Sequence, residues 1–391
     1  MTLEEALYGT GDGYIDAIDF TTSAGHTLKK MGHTRYGLTH TSDGKQRVHP
    51  LLRRMVEVKM KAFKEGKICP VVYEETLKDE IRSYEKWLEG NTRLFSAGDF
   101  VSFIIQRMVL GTFVAEMHKD PVNSPFGVKI NVHSKDWGQL WARLYQDGQV
   151  DLGAGDFVNF DIGLKVHLME RYIALVRKYH YDPDLAERII KANFYGWHFC
   201  GRIVYVRPWG TSSGSFITTS FNTFSNWYMH KHAWCAIYPE TEFGNAQFTF
   251  TGDDSVFTVP KRYEKYNMEY LKEYFWRVFR MRYTAPDKTN RTHVTWEELT
   301  YLKRRFVTGH MGMMAPLALK SIANMIKWTE NDSPEVMESV LNSVMLEAFH
   351  YGKEFFDECY VWGVQESKRM NTHFKFPNWS DLVNMRRKDY Q

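Results

Sequence analysis

The chain has 391 residues, too many for a single small core, and its apolar and charged fractions are those of an ordinary globular protein. A formal net charge of +3 neither demands nor excludes nucleic acid, because an acidic centre can cancel a basic channel in the sum. Four scattered cysteines (Cys69, Cys200, Cys235, Cys359) suit buried thiols in a reducing compartment better than a disulfide framework; with no secretory signal and no apolar run long enough to span a bilayer, the chain reads as soluble and intracellular.

Residues 1–60 are rich in Gly, Thr, Lys and His and predict loops crossed by a helix near Leu51–Lys64. A charged stretch follows from Leu77 to Phe100, then an apolar helix over 100–118. "VDLGAGDFVNFD" (Val150 to Asp161) predicts a strand running into a turn. Gly163 to His180 is helical, with Leu164, Leu168, Tyr172 and Leu175 at helical spacing. A Gly/Ser/Thr-rich loop then feeds a helix toward Trp234. "FTFTGDDSVFTV" (Phe248 to Val259) reads as two short strands meeting at a Gly-Asp turn. Beyond it come a helix near Tyr263–Phe279, the basic turn "TAPDKTN" and a strand near Leu299–Phe306. A last helix opens with Ser333 as cap, Pro334 and Glu335, and lines Met337, Leu341, Met345 and Ala348 on one face. The terminal "RRKDY" reads as a solvated tail, and a soft boundary falls near residue 310.

The adjacent acids Asp253 and Asp254 at the hairpin tip repel, and a hard cation would relieve them. Asp156, at the end of a predicted strand, is a third candidate ligand, and Asp161 lies five residues later. Two Mg²⁺ ions shared by such carboxylates activate a hydroxyl and stabilise a leaving pyrophosphate. Thr218 and Asn222, four apart on a helix, share a face. Asp161 with Asn222 could read a ribose 2′-hydroxyl, which both donates and accepts. Lys78, Arg82, Lys86 and Arg93 are either a solvated face salted by Asp79, Glu80, Glu85 and Glu89, or a triphosphate clamp. His198, Cys200, His230, His232 and Cys235 are loosely grouped, but H-x-H-x2-C matches no strong zinc spacing and the neighbours suggest packing.

Seven segments in this order resemble the motifs of viral RNA-dependent RNA polymerases of the picornavirus-like group, over nearly the whole chain. "TSAG" (Thr22, Ser23, Ala24, Gly25) resembles the template-entry motif and "KDEIRS…K…GNTR" the basic fingers motif. "DFVNFD" resembles the first palm motif, and "SGSFITTSFN" matches SGxxxTxxxN in full. "TGDD", "TAPDK" and "YLKRRF" resemble the GDD, general-acid and primer-grip motifs. The departures are Thr251 in place of the usual tyrosine, TAPDK in place of TPADK, and a chain that begins about twenty residues before TSAG, which suggests a truncated piece of a polyprotein.

The resemblance implies an α+β, right-hand polymerase with a βαββαβ palm and a mostly helical thumb. It divides the chain into fingers (1–150), palm (151–180), a fingers insertion (181–209), palm (210–306) and thumb (307–391). It implies RNA-directed RNA synthesis from NTPs in viral replication, with two Mg²⁺ ions, or Mn²⁺, on Asp156, Asp253 and Asp254. Asp161, Thr218 and Asn222 would select ribonucleotides, and Ser213 with Gly214 would form a mobile loop. Lys78, Arg82, Lys86 and Arg93 would hold the triphosphate, Lys288 would be the acid, and Lys303 and Arg304 would steady the primer. The implied partners are template and primer RNA, a protein primer and other viral replication proteins. The implied location is the host cytoplasm, in membrane-associated replication complexes. Two alternatives remain open at this stage. A reverse transcriptase shares the palm chemistry but would want a bulky side chain against the 2′-hydroxyl. A catalytically impaired RNA-binding fragment would keep the fold alone.

Overall fold

The computed structural model describes residues 1–329 and 333–389. The chain forms two compact units. One comprises Met1–Lys119, Val158–Tyr228 and Phe279–Met281; the other comprises Asp120–Phe157, Met229–Val278 and Arg282–Gln391.

The first unit is built on the apolar helix Phe100–Met117, whose N-terminus is capped by the Asp99 carboxylate accepting from the Ser102 amide at 2.7 Å. Helices Leu3–Tyr8, Pro50–Lys64 and Pro183–Phe194 pack on it. By length and composition this helix could cross a membrane, contrary to the sequence expectation that no run is long enough. Most of it is buried in the unit, as a core helix must be. The helix Val166–Tyr179 buries Leu168, Met169, Tyr172, Ile173 and Val176. Leu164 is buried just ahead of it, and Leu175 is only half-buried, so the stripe lies one residue off the expected line. A four-stranded sheet completes the unit, in the order Leu94–Gly98, Val72–Leu77, Trp197–Cys200, Ile203–Val206.

The second unit holds another four-stranded sheet. Its strands are β1 (Val150–Phe157), β2 (Gln247–Thr251), β3 (Asp254–Pro260) and β4 (Tyr283–Thr284). Helix α1 (Thr218–Cys235) precedes β2, and α2 (Met268–Phe279) separates β3 from β4. The sheet order is β2-β3-β1-β4, antiparallel throughout, which is the βαββαβ arrangement. The "GAG" of β1 is explained by its neighbours. A side chain at Gly153 would run into the ring of Phe257, and one at Gly155 into the ring of Tyr283. Beneath the sheet, His230 of α1 is fully buried among Phe248, Phe250, Phe257, Phe275, Tyr266 and Tyr283.

The C-terminal helices Leu319–Lys327, Pro334–Phe349, Lys353–Arg369 and Trp379–Lys388 close over Ile322, Val344, Met345, Ala348, Phe349, Phe356 and Leu382. Ser333 caps the second of them, accepting from the Val336 amide. Two readings are corrected in this unit. Leu299–Phe306 is a tight hairpin, Thr300–Tyr301 against Arg304–Arg305, because Leu302 and Lys303 both take positive φ. Arg386, expected in a solvated tail, is 1 % exposed and donates to the Met313 carbonyl at 2.7 Å; Tyr390 lies outside the described residues. The thiols are also less buried than expected: all four are free, Cys235 is exposed and the others are half-buried.

Candidate active site

Strands β2 and β3 are joined by a two-residue turn, Gly252–Asp253, closed by the pair Thr251 and Asp254. Only Gly252 (φ 62°) takes positive φ there, as a type II′ hairpin requires at its first central position. β3 lies antiparallel to β1, and their last paired position joins Gly155 to Ser255. One step further in that register, Asp156 falls opposite Asp254. On the other edge of β1, Asp156 pairs with Thr284, the first residue of TAPDK. Lys288 is exposed in that turn with φ 61°. The sheet therefore brings Asp156, the GDD turn and the Lys288 turn to one end.

The acids feel one another. Burial first, then the charges of Asp253 and Asp156, push the Asp254 carboxyl up to about 6, with Lys303 acting in the opposite sense. Among the described residues no three His, Cys, Asp or Glu side chains are drawn into a ready-made metal cluster. The donor set still suits a hard divalent cation, since it consists of carboxylates only and its repulsion raises Asp254.

A second constellation lies in the other unit. The Asn222 side-chain amide donates to the Asp161 carboxylate at 2.6 Å, which fixes the amide's orientation. Its other end, Oδ1, is buried and has no hydrogen-bond partner, so an acceptor stands ready for a hydroxyl donor. One turn earlier, the Thr218 hydroxyl donates to the Ser212 carbonyl at 2.5 Å. Ser213 is exposed, and the Gly214 amide donates to the Ser96 carbonyl at 2.9 Å. A Cβ on Gly214 would run into that carbonyl.

The basic residues separate into two kinds. Arg82 and Arg93 are both held by Glu80, Arg93 with two bonds through Nε and Nη2 at 3.0 and 2.5 Å. The Arg93 hydrogen bond leads in bringing the Glu80 carboxyl down to about 2, with the Arg93, Arg82 and Lys78 charges adding to it against burial. Lys78 and Lys86 are exposed. In TSAG, Thr22 and Ser23 are exposed while Ala24 and Gly25 are buried. Gly25 has φ 81°, and a Cβ there would lie 2.7 Å from the Asp99 Cα. Lys303 is exposed at its hairpin tip. Arg304 is turned inward instead, bidentate to Glu347 at 2.7 and 2.6 Å. The Arg304 guanidinium, expected at the primer, is thus committed to Glu347 in this structure.

Among the described residues the grouped His and Cys side chains form no metal cluster. His198 Nδ1 bonds Glu75 at 2.5 Å, His230 bonds Tyr266 at 2.8 Å and His232 bonds Tyr274 at 2.7 Å. The sequence reading missed Glu75, Glu80, Glu347 and Tyr301. Glu80 was visible only as a counter-charge and Tyr301 only as the first residue of YLKRRF, while Glu75 and Glu347 carried no local signal.

In fold the chain is similar to the Sicinivirus 3Dpol RNA dependent RNA polymerase, with a TM-score of 0.82 at 19% identity, covering 100% of this chain and 81% of that one. That likeness defines a right-hand polymerase architecture. Residues 9–366 match the family described as viral RNA-dependent RNA polymerase, and the chain belongs to that family. It is 27% identical over 394 residues to the replicase polyprotein of Drosophila C virus (92% of this chain, 22% of that protein). It is 28% identical over 362 residues to that of acute bee paralysis virus (84% and 19%) and 26% identical over 365 residues to the genome polyprotein of human rhinovirus C (92% and 16%). The chain thus spans about a fifth of the length of these polyproteins.

Proposed function

We propose that this chain is the RNA-directed RNA polymerase of a positive-strand RNA virus, extending an RNA 3′-hydroxyl with NTPs under template direction. The observation that carries the reading is the β1–β3 register, which sets Asp156 against the acidic turn at the end of a βαββαβ sheet. Asp156, Asp253 and Asp254 would hold two Mg²⁺ ions, with Mn²⁺ as substitute. When bound, these supply activation of the 3′-hydroxyl and neutralise charge on the leaving pyrophosphate. Asn222 Oδ1 accepts from the ribose 2′-hydroxyl while Asp161 holds the amide in place. Lys288 donates the proton that pyrophosphate takes as it leaves. Lys303, whose charge already acts on Asp254, meets the primer backbone. Lys78 and Lys86 draw in the triphosphate, with Arg82 and Arg93 released from Glu80 to join them. The same reading supplies template RNA, a protein primer and other viral replication proteins as partners. It places the work in membrane-associated complexes in the host cytoplasm.

The test is primer extension on annealed RNA with Mg²⁺ or Mn²⁺. Wild type incorporates NTPs, and Asp253→Ala abolishes incorporation while RNA binding survives. Metal-dependent synthesis retained in Asp253→Ala sinks the assignment.

A further inference from the structure

The first unit contains a buried polar network that none of the motifs above includes. At its centre is Glu75, on the strand Val72–Leu77, with a side chain only 2 % exposed. Its carboxylate accepts from the Ser96 hydroxyl at 2.9 and 3.0 Å, from the Tyr205 hydroxyl at 3.3 Å, and bonds His198 Nδ1 at 2.5 Å. Burial pushes this carboxyl up, but the His198 and Ser96 hydrogen bonds prevail and hold it below the ordinary range. The His198 ring is sandwiched between Tyr73 and Tyr205, with centroids at 4.9 and 5.1 Å.

Both arms of the network end on one loop. Along the first, Ser96 uses its side chain on Glu75 and its backbone on the loop: its amide donates to the Ser213 hydroxyl at 3.1 Å and its carbonyl accepts from the Gly214 amide at 2.9 Å. Along the second, His198 Nε2 lies 3.4 Å from the Ser212 hydroxyl, which also accepts from Arg207 at 2.8 Å. Serine, imidazole and carboxylate in that order would suit a hydrolase, but Ser212 and His198 are 4 % and 1 % exposed, so no substrate reaches them. What they do reach is the chain itself. The Ser212 carbonyl also accepts from the Thr218 hydroxyl, at the start of the helix that carries Asn222.

We infer that Glu75 is a positioning residue: through Ser96 and His198 it sets the conformation of the Ser212–Gly214 loop, and so the nucleotide affinity of the polymerase. This rests on the polymerase reading. A carboxylate buried with three donors fixes Ser96 and the His198 ring in place, and the loop would lose its own bonds to both if it lifted.

The test compares wild type, Glu75→Gln, Ser96→Ala and the double variant in steady-state extension and in hydrogen exchange of residues 211–217. Loss of the anchor raises KM for NTP about tenfold with kcat within about threefold, because ground-state binding is what loosens. Exchange of the loop amides rises about tenfold in the same variants. The double variant is no worse than the worse single one, since both break one linkage. Wild-type KM and wild-type exchange in folded Ser96→Ala, which loses one hydroxyl only, overturn the inference. So does a purely additive fall in kcat. If wild type itself fails to extend RNA, the polymerase reading fails, and exchange alone still decides whether Glu75 holds the loop.

Discussion

The Thr251 hydroxyl lies 2.6 Å from the Tyr301 hydroxyl. Thr251 stands where the picornavirus-like group has tyrosine before GDD, and here a ring comes instead from the Thr300–Arg305 hairpin. Tyr301 is 2 % exposed, stacks on Trp137 and accepts a second bond from Thr249 at 3.3 Å. Burial above all raises its phenol to about 12, so it stays a neutral donor. Tyr301→Phe is expected to cost about 1–2 kcal/mol in urea unfolding. In that background Thr251→Val adds little. A full additive cost for Thr251→Val would show that the two hydroxyls are not coupled.

Asp254 should weaken the fold that it serves. An acid whose folded pKa is raised keeps a proton that the unfolded chain releases, so stability falls as pH rises from about 4 through about 6. At pH 8 Asp254→Asn should be more stable than wild type by about 1–3 kcal/mol, and by nothing at pH 4. Mg²⁺ should narrow the gap by binding wild type alone. Thermal melts at the two pH values decide it; a variant no more stable at pH 8 rejects the electrostatic account.

Acid should weaken the second unit through its histidines. Burial lowers His230 to about 3; burial, with the nearby His133, Arg304, Arg386 and His310 charges, lowers His350 to about 2. A histidine depressed in the fold contributes fully above its unfolded pKa of about 6.5 and progressively less below it. His230→Gln, which keeps a bond to Tyr266 without titrating, should remove about 2 kcal/mol of the stability loss between pH 6.5 and pH 5. Parallel pH curves for the two proteins would contradict this.

Sugar discrimination should reside in the Asp161–Asn222 pair. Asn222→Ala removes the open acceptor, and Asp161→Ala frees the amide to turn. Either change should cut the preference for NTP over dNTP by about 10- to 100-fold, mostly by lowering kcat/KM for NTP. Competition assays with matched bases measure the ratio, and an unchanged ratio would remove the pair from ribose recognition.

Arg304 and Glu347, with side chains 11 % and 6 % exposed, should behave as one structural unit. Glu347→Ala strands a buried guanidinium and should cost about 3–5 kcal/mol. Replacing both by leucine should cost much less than the sum of the single changes. Chemical denaturation of the four proteins gives the coupling, and a coupling near zero would show that the pair is not load-sharing.

The sequence carried the local part of all this. Gly-Asp between two alternating apolar runs specifies a hairpin, and Thr218 with Asn222 specifies a helix face, because turn chemistry and period are properties of neighbours in the chain. The partner of a charge is not such a property. Nothing near Arg304 marks it as paired to a glutamate 43 residues later, and nothing near Thr251 points to Tyr301. The Leu299–Phe306 hairpin escaped for a related reason: Leu302 and Lys303 adopt positive φ without glycine, so the turn left no signature. Where residue types were read as solvent-facing by composition, as with Arg386, tertiary packing decided otherwise.

The two ring-filled gaps in β1 act as a key. Phe257 occupies the notch above Gly153, and Tyr283 occupies the one above Gly155. Sliding the hairpin by two residues toward the acidic end would drive Phe257 into a notch already taken, while sliding it the other way would press its ring against Asp151. A strand pair usually resists slippage only through which face is greasy. Here the sheet is indexed to a single tooth, and the spacing of Asp156 from the turn acids is inherited from that fit.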